Sequence, residues 1–303
     1  MQEESVLARD KIYTEEQFPS PLMQLWWHFR HTNVAMIGFW CYLFLLSLAI
    51  LAPLLTEIGQ NSSNLDVLLL PPAWDSAGDV SYLLGTDDLG RSMLSRLING
   101  TSLTFGLSII VVIISMAIGV MIGSLSALTK GIKSSILNHF LDVILSIPSL
   151  LLAIIIVAVL GPNLKNTLWA IVIVLIPQFI RVTRNAIKEE FRKDYVLASR
   201  LDGASPLRIL RYSVFPNIFE RIINQATLAQ SAAILDIAAL GFLGLGAQFP
   251  LPEWGTMLSN GVDLFYIAPW TVYLPGLAIF FAVISTNLVG EGLRHALKQR
   301  KES

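Results

Sequence analysis

Six runs of apolar residues divide this 303-residue chain and leave few folds open to it. They are Val34–Leu55, Ser102–Leu128, Ile136–Leu160, Thr167–Ile180, Ile218–Leu245 and Thr271–Val289. A helix of roughly twenty apolar residues crosses a hydrocarbon core about 30 Å thick, and backbone in lipid must satisfy its own hydrogen bonds. The runs therefore predict an all-α membrane protein with six transmembrane helices. Composition agrees, with 54% hydrophobic and 14% charged residues, where a soluble domain carries about 25% charged. The fourth run is short and is expected to continue past Arg181; the third is interrupted by Pro148. Gly119 and Gly123 form a GxxxG spacing that lets two helices approach closely.

Lysine and arginine set the orientation. With the N-terminus inside, eighteen of the 21 basic residues fall on the cytoplasmic side and only Arg91, Arg96 and Lys165 on the other. This puts both termini in the cytoplasm. Residues 1–33 then form a cytoplasmic amphipathic segment, in which Leu22, Leu25, Trp26 and Trp27 near Arg30 suggest an interfacial helix. Residues 56–101 form an outward loop, 102–293 the transmembrane core, and 294–303 a cytoplasmic tail. The connection Gly246–Trp270 also faces outward.

The longest basic run, RKDYVLASRLDGASPLRILRYSVFPN (Arg192–Asn217), lies on the cytoplasmic side. Asp194 is placed to N-cap a short helix from Tyr195, and Gly203 to terminate it. Ser205 and Pro206 open a second helix, expected to end before Pro216. A bent helical pair of this kind suits docking into another protein's groove; an ordinary basic loop is the other reading.

Chemistry of its own is hard to find in the chain. No phosphate-cradling G-x-x-x-x-G-K-[ST] run, no Cys/His metal spacing and no nucleophile elbow occurs. Cys41 is the single cysteine. Asp236, Gln230 and Gln225 lie in the fifth run, where polar groups are costly and face a bundle interior or a wet path. Asp236 is read either as lining a path for a cationic substrate or as a structural partner of a Ser or Gln. Asp142 is expected to be solvated or salt-bridged.

Four runs carry a family resemblance. Leu197-Ala198-Ser199, Gly203 and Ser213-Val214-Phe215-Pro216 resemble the EAA loop of ABC-importer permeases, with Leu197 and Ser213 departing from the usual Glu and Ile. Gly85-Thr86-Asp87-Asp88-Leu89-Gly90-Arg91 resembles the GTDxxGRD signature of the dipeptide, oligopeptide and nickel permeases, with Ser92 in place of the last Asp. Leu240–Gly246 and Pro252–Leu258 resemble that family's LSFLGLG and WGxML runs. Within the family, LDGAS, ILDIAALGFL and PEWG are most similar to the second permease of Sap-type peptide transporters.

The resemblance implies a type I ABC-importer permease (MetI-like) fold in a bacterial inner membrane, with no catalysis by this chain and no nucleic acid bound. Expected partners are a SapB-like second permease, two SapD/SapF-like ATP-binding subunits that hold ATP and Mg, and a SapA-like periplasmic substrate-binding protein. Ala198, Ser199, Asp202, Gly203 and Pro216 would meet the ATPase. Cargo would be peptides, cationic antimicrobial peptides among them; polyamine (putrescine) transport and a stand-alone secondary transporter are the alternatives. Gly85, Thr86, Asp87, Asp88, Gly90 and Arg91 would build an outward elbow, with Thr86 or Asp87 capping a helix that exposes Met93, Leu94 and Leu97. Trp254 and Trp270 are expected in an outer aromatic belt. Glu253 is expected at a gate or binding-protein face, or as a solvated loop acid.

Overall fold

A computed structural model describes residues 21–55, 65–129 and 131–302. The expectations for residues 1–20, 56–64 and Lys130 lie outside the described residues. The regular structure of the described residues is all helical, apart from one isolated antiparallel bridge, Thr86 to Ser92. Helix α1 (Pro21–Arg30) exposes Trp26 and Trp27 and buries Phe29 against Ala35 and Ala296. Helix α2 (Asn33–Leu55) is apolar on all sides, yet only Ala35, Gly38, Ala49 and Ala52 are buried. Small residues face the bundle and large ones such as Trp40, Phe44 and Leu54 face outward. A water-soluble protein does the reverse; in lipid, small residues let backbones close up and large ones meet the acyl chains.

Helix α3 (Met93–Gly100) passes through a widened π-turn (Thr101–Gly106) into α4 (Leu107–Leu128), so the second span begins nine residues earlier than Ser102. The third run is a bent pair, α5 (Ile132–Ser146) and α6 (Ser149–Leu160), turned by 90°. Ile147 is extended (φ −85°, ψ 132°), because the ring of Pro148 bars the residue before it from helical geometry. Helix α7 (Leu164–Glu190) continues past Arg181 as expected. After α8 (Asp194–Leu201) and α9 (Pro206–Ile209), the chain runs through a second π-turn (Leu210–Val214) into α10 (Phe215–Phe242). Contrary to the expectation that its ring would end the helix, Pro216 sits in the first turn of α10, where the opened turn before it accommodates it. Helices α11 (Trp254–Val262) and α12 (Trp270–Glu302) complete the chain.

Among the described residues five helices are long and apolar enough to cross a membrane, or six with the bent pair. The central core joins α4, α6, α7 and α10 through Val111, Ala153, Ile171, Leu175, Phe179 and Leu240. Gly119 and Gly123 set the approach of α4 to α7. A Cβ on Gly119 would collide with Phe179, and one on Gly123 would lie 2.9 Å from the Thr183 Cβ. The GxxxG spacing is thus a contact between helices of this chain. A second core gathers Met93, Phe105, Trp254, Met257 and Trp270 at the end holding residues 65–100 and 247–270, here the GTD end. A third packs Val196, Ile209, Leu210 and Val214 onto Ala186, Ile187, Ile218 and Ile222 at the basic end.

Candidate functional site

At the basic end, local signals build a rigid bent pair. Lys193 occupies the cap position of α8 and Asp194 its first turn, one residue from the expected register. The helix stops at Gly203, whose φ of +82° favours a residue without a Cβ. The Ser205 hydroxyl accepts from the Arg208 amide (3.4 Å), with Pro206 at the first helical position. Val196 and Ile209 point inward, while Leu201 and Leu207 are 82% and 68% exposed. Ser199, Asp202, Gly203, Arg208 and Tyr212 border one open cleft of about 310 Å³. Ala198 is exposed on α8, and Pro216 is exposed on α10, away from the cleft.

The pair is tied to the long helices by polar groups that sequence reading missed. The Tyr195 hydroxyl donates to Glu190 Oε1 (2.5 Å), and Lys193 Nζ donates to the same oxygen (2.8 Å). Asn217 Nδ2 donates to Tyr195 Oη (3.2 Å) and to the Ser213 carbonyl (2.7 Å). Burial, then the Glu190 carboxylate beside it, pushes the Tyr195 phenol up to about 12, so it stays a donor at neutral pH. Arg221 on α10 pairs with both oxygens of Glu189 on α7, at 2.5 and 2.6 Å. Arg184 donates to the Ser134 hydroxyl (2.6 Å) and carbonyl, and Arg181 pairs with Asp142, holding α5 against α7. Asp142 is thus salt-bridged, one of the roles expected for it.

The three polar residues of α10 are not brought together. Gln225 Nε2 donates to Gln178 Oε1 on α7 (3.2 Å), and Gln230 accepts from the Tyr42 hydroxyl on α2 (3.0 Å). Asp236 is buried, and no Ser or Gln among the described residues bonds it; its Oδ2 is without a partner. The expected structural partnership is therefore missing.

The GTD end is organised by buried polar groups. Gly85 (φ +77°) has the Leu70 carbonyl 2.5 Å from where a Cβ would sit, and Gly90 also has positive φ. The Thr86 hydroxyl donates to the Val67 carbonyl (2.6 Å) and accepts from the Leu70 amide (2.8 Å). Asp87 accepts from the amides of Leu89 and Arg91 and from Arg91 Nε (2.7 Å), and Arg96 Nε lies 3.4 Å away. Asp88 is half exposed, 3.9 Å from Arg91.

Several expectations are corrected here. Neither Thr86 nor Asp87 caps α3, since both side chains are committed to the turn; Ser92 holds the cap position, and Met93 is buried rather than exposed. Trp254 and Trp270 are core residues, not a belt: their indoles donate to the Leu97 and Thr86 carbonyls (3.0 Å each). Glu253 is neither solvated nor at a free face. It is fully buried and caps α11, accepting from the Gly255 and Thr256 amides and the Thr104 and Thr256 hydroxyls (2.8–2.9 Å). The π-turn carrying Thr104 supplies that hydroxyl across 149 residues of sequence.

An all-α bundle with lipid-suited surfaces, a basic helical pair at one end and a capped polar turn at the other is the architecture of a multi-span membrane protein. Residues 119–303 match the family described as binding-protein-dependent transport system inner membrane component. Residues 20–72 match the N-terminal TM domain of oligopeptide transport permease C. The chain belongs to this family of permeases, and it is a non-catalytic membrane subunit. It is 45% identical to the peptide transport system permease protein SapC of Escherichia coli O6:H1, over 95% of this chain and 97% of that protein. It is 46% identical to the di/tripeptide transport system permease protein DppC of Pseudomonas aeruginosa, over 92% of each. The inward-facing MetNI methionine ABC transporter shares the fold, with a TM-score of 0.53 at 18% identity, over 66% of this chain and 97% of that one. The resemblance drawn from the motifs and the MetI-like fold both hold.

Proposed function

We propose that this chain is one of two permease subunits of a heteromeric ABC transporter that moves peptides across the bacterial inner membrane. The observation that carries the reading is the α8–Gly203–α9 pair, apolar on both sides. Its inner side is packed on the ends of α7 and α10, and its outer side presents Leu197, Leu201 and Leu207. Three apolar anchors on a helical knuckle fit a groove in a partner, here an ATP-binding subunit. Ala198, Ser199, Asp202 and Gly203 meet that subunit, and Pro216 holds the hinge into α10. Because Tyr195, Glu190, Asn217 and the Arg221–Glu189 pair lock the knuckle to the long helices, a push on it moves α7 and α10 together.

Relatives named for peptide transport at 45–46% identity support peptides as cargo. Two ATP-binding subunits hold ATP and Mg, a second permease completes the pore, and a periplasmic binding protein delivers cargo at the GTD end. We read cationic antimicrobial peptides as part of that cargo, and Asp236, a buried carboxylate without a partner, as a residue bordering the path. Co-purification of the tagged chain in mild detergent tests the reading. A second six-span permease and ATP-binding subunits should come with it; a chain that is isolated alone and transports without ATP would overturn it.

A further inference from the structure

Helix α5 sets an exposed apolar face beside positive charge that few acids answer. It has 15 residues, too few to cross a membrane. It turns 90° from α6, which packs in the central core through Ala153 and Val157. Its ties to α7 fall at Arg181 and Arg184, the first charges after the apolar stretch Thr167–Ile180. A helix turned across the bundle at that level lies along the membrane interface. Ile132, Ile136, Phe140 and Val143 share one face at helical spacing and are 60–79% exposed. Ser134 and Leu141, on the opposite face, are buried. Lys188 Nζ donates to the Ser134 hydroxyl (3.4 Å), which also accepts from Arg184. The charged groups that act on Lys188 are Arg184 and Arg192, both of its own sign. The acids of this region are engaged elsewhere: Asp142 by Arg181, Glu189 by Arg221 and Glu190 by Lys193. Asp194 is the one further acid between positions 181 and 194, and it stands against Arg184, Lys188 and Arg192. The stretch keeps an excess of positive charge. Lys188 is half-buried and Arg192 exposed; an ammonium has three donors, and Ser134 takes one of those of Lys188.

We propose that the junction of α5 and α7 binds an anionic phospholipid of the adjacent leaflet. Lys188 and Arg192 hold its phosphate, and the buried Arg184 adds charge from behind without touching it. The acyl chains lie along Ile132, Ile136, Phe140 and Val143, a face that begins two residues from Ser134. Positive charge alone suits any phosphate, and an apolar face alone suits any lipid or protein. Side by side, the two select a phospholipid with net negative charge. On the orientation set by lysine and arginine, the leaflet is the cytoplasmic one. Such a site is independent of the cargo.

The test is native mass spectrometry of the purified full-length chain in mild detergent, titrated with dioleoylphosphatidylglycerol and dioleoylphosphatidylcholine. The unaltered chain should prefer the anionic lipid, by about fivefold for each of the two charges that hold the phosphate. Lys188→Gln combined with Arg192→Gln should remove the preference and leave binding of the choline lipid unchanged. Ile136→Ser combined with Phe140→Ser should weaken both lipids alike. All four positions are exposed or half-buried, so the Tm without added lipid should stay that of the unaltered chain. Equal retention of the two lipids by the unaltered chain, or a preference that survives the charge variant, would overturn the site. Displacement of the anionic lipid by an excess of glycerol 3-phosphate would mark a soluble-phosphate site and overturn it too. Unchanged lipid binding in the Ile136 and Phe140 variant would do the same, and would assign that face to a protein partner.

Discussion

Gly203 holds φ at +82°, yet nothing lies within 4 Å of where its Cβ would be. An alanine there strains the backbone by about 1–2 kcal/mol without a clash, whereas proline, fixed near φ −65°, cannot keep the turn. Gly203→Pro should therefore insert into the membrane at normal yield and lose substrate-stimulated ATPase activity in the reconstituted complex; normal stimulation would dismiss the coupling role. Glu253 offers a pH-dependent handle at the other end. Burial pushes its carboxyl above the ordinary value, against the pull of four donors. The folded chain thus keeps this proton where the unfolded chain has released it. Its contribution to stability is full below the ordinary carboxylate range and is lost as pH rises through the raised value. The Tm of the purified chain should rise as pH falls from neutral toward about 5, with a flatter slope in Glu253→Gln. An identical slope in the two proteins would count against it. Neither Glu253 nor Arg96 was legible as buried, because what folds over an amphipathic or charged side chain comes from elsewhere in the chain.

At the scale of elements, the helical pair was readable because its signals are local: Gly203, Ser205 and Pro206 each act within one turn. Pro216 misled for the same reason. Its effect depends on the π-turn before it, which three-dimensional packing of Leu210 and Val214 supports. The bend at Pro148 was legible as an interruption, but its 90° angle and the Arg184–Ser134 contact that ties α5 to α7 were not. Two substitutions separate packing from docking. Gly119→Leu drives a side chain into Phe179, and overpacking of this kind costs about 1–3 kcal/mol; its detergent-solubilised yield and Tm should drop. Leu201→Asp alters an exposed side chain and should shift stability by no more than about 0.5 kcal/mol, yet abolish recovery of the ATP-binding subunits. Retention of those subunits would remove Leu201 from the docking face.

Across the whole molecule, orientation is the expectation to test directly. With Cys41 replaced by Ser, Asp79→Cys should react with an impermeant maleimide in intact spheroplasts, and Asp202→Cys only after permeabilisation. The opposite pattern would invert the topology and separate the basic loop from any cytoplasmic ATPase. The sequence by itself determined the helical class, the number and rough extent of the apolar runs, the charge asymmetry and the knuckle at Gly203. Each of these follows from composition over a window or from backbone preferences within a turn. Only the tertiary structure decided that Trp254 and Trp270 are core, that Glu253 caps a buried helix, that Asp236 lacks a partner and that Arg91 and Arg96 share one acid. Those outcomes depend on which distant segments meet: burial and pairing belong to the environment of a side chain, and that environment is assembled by the fold.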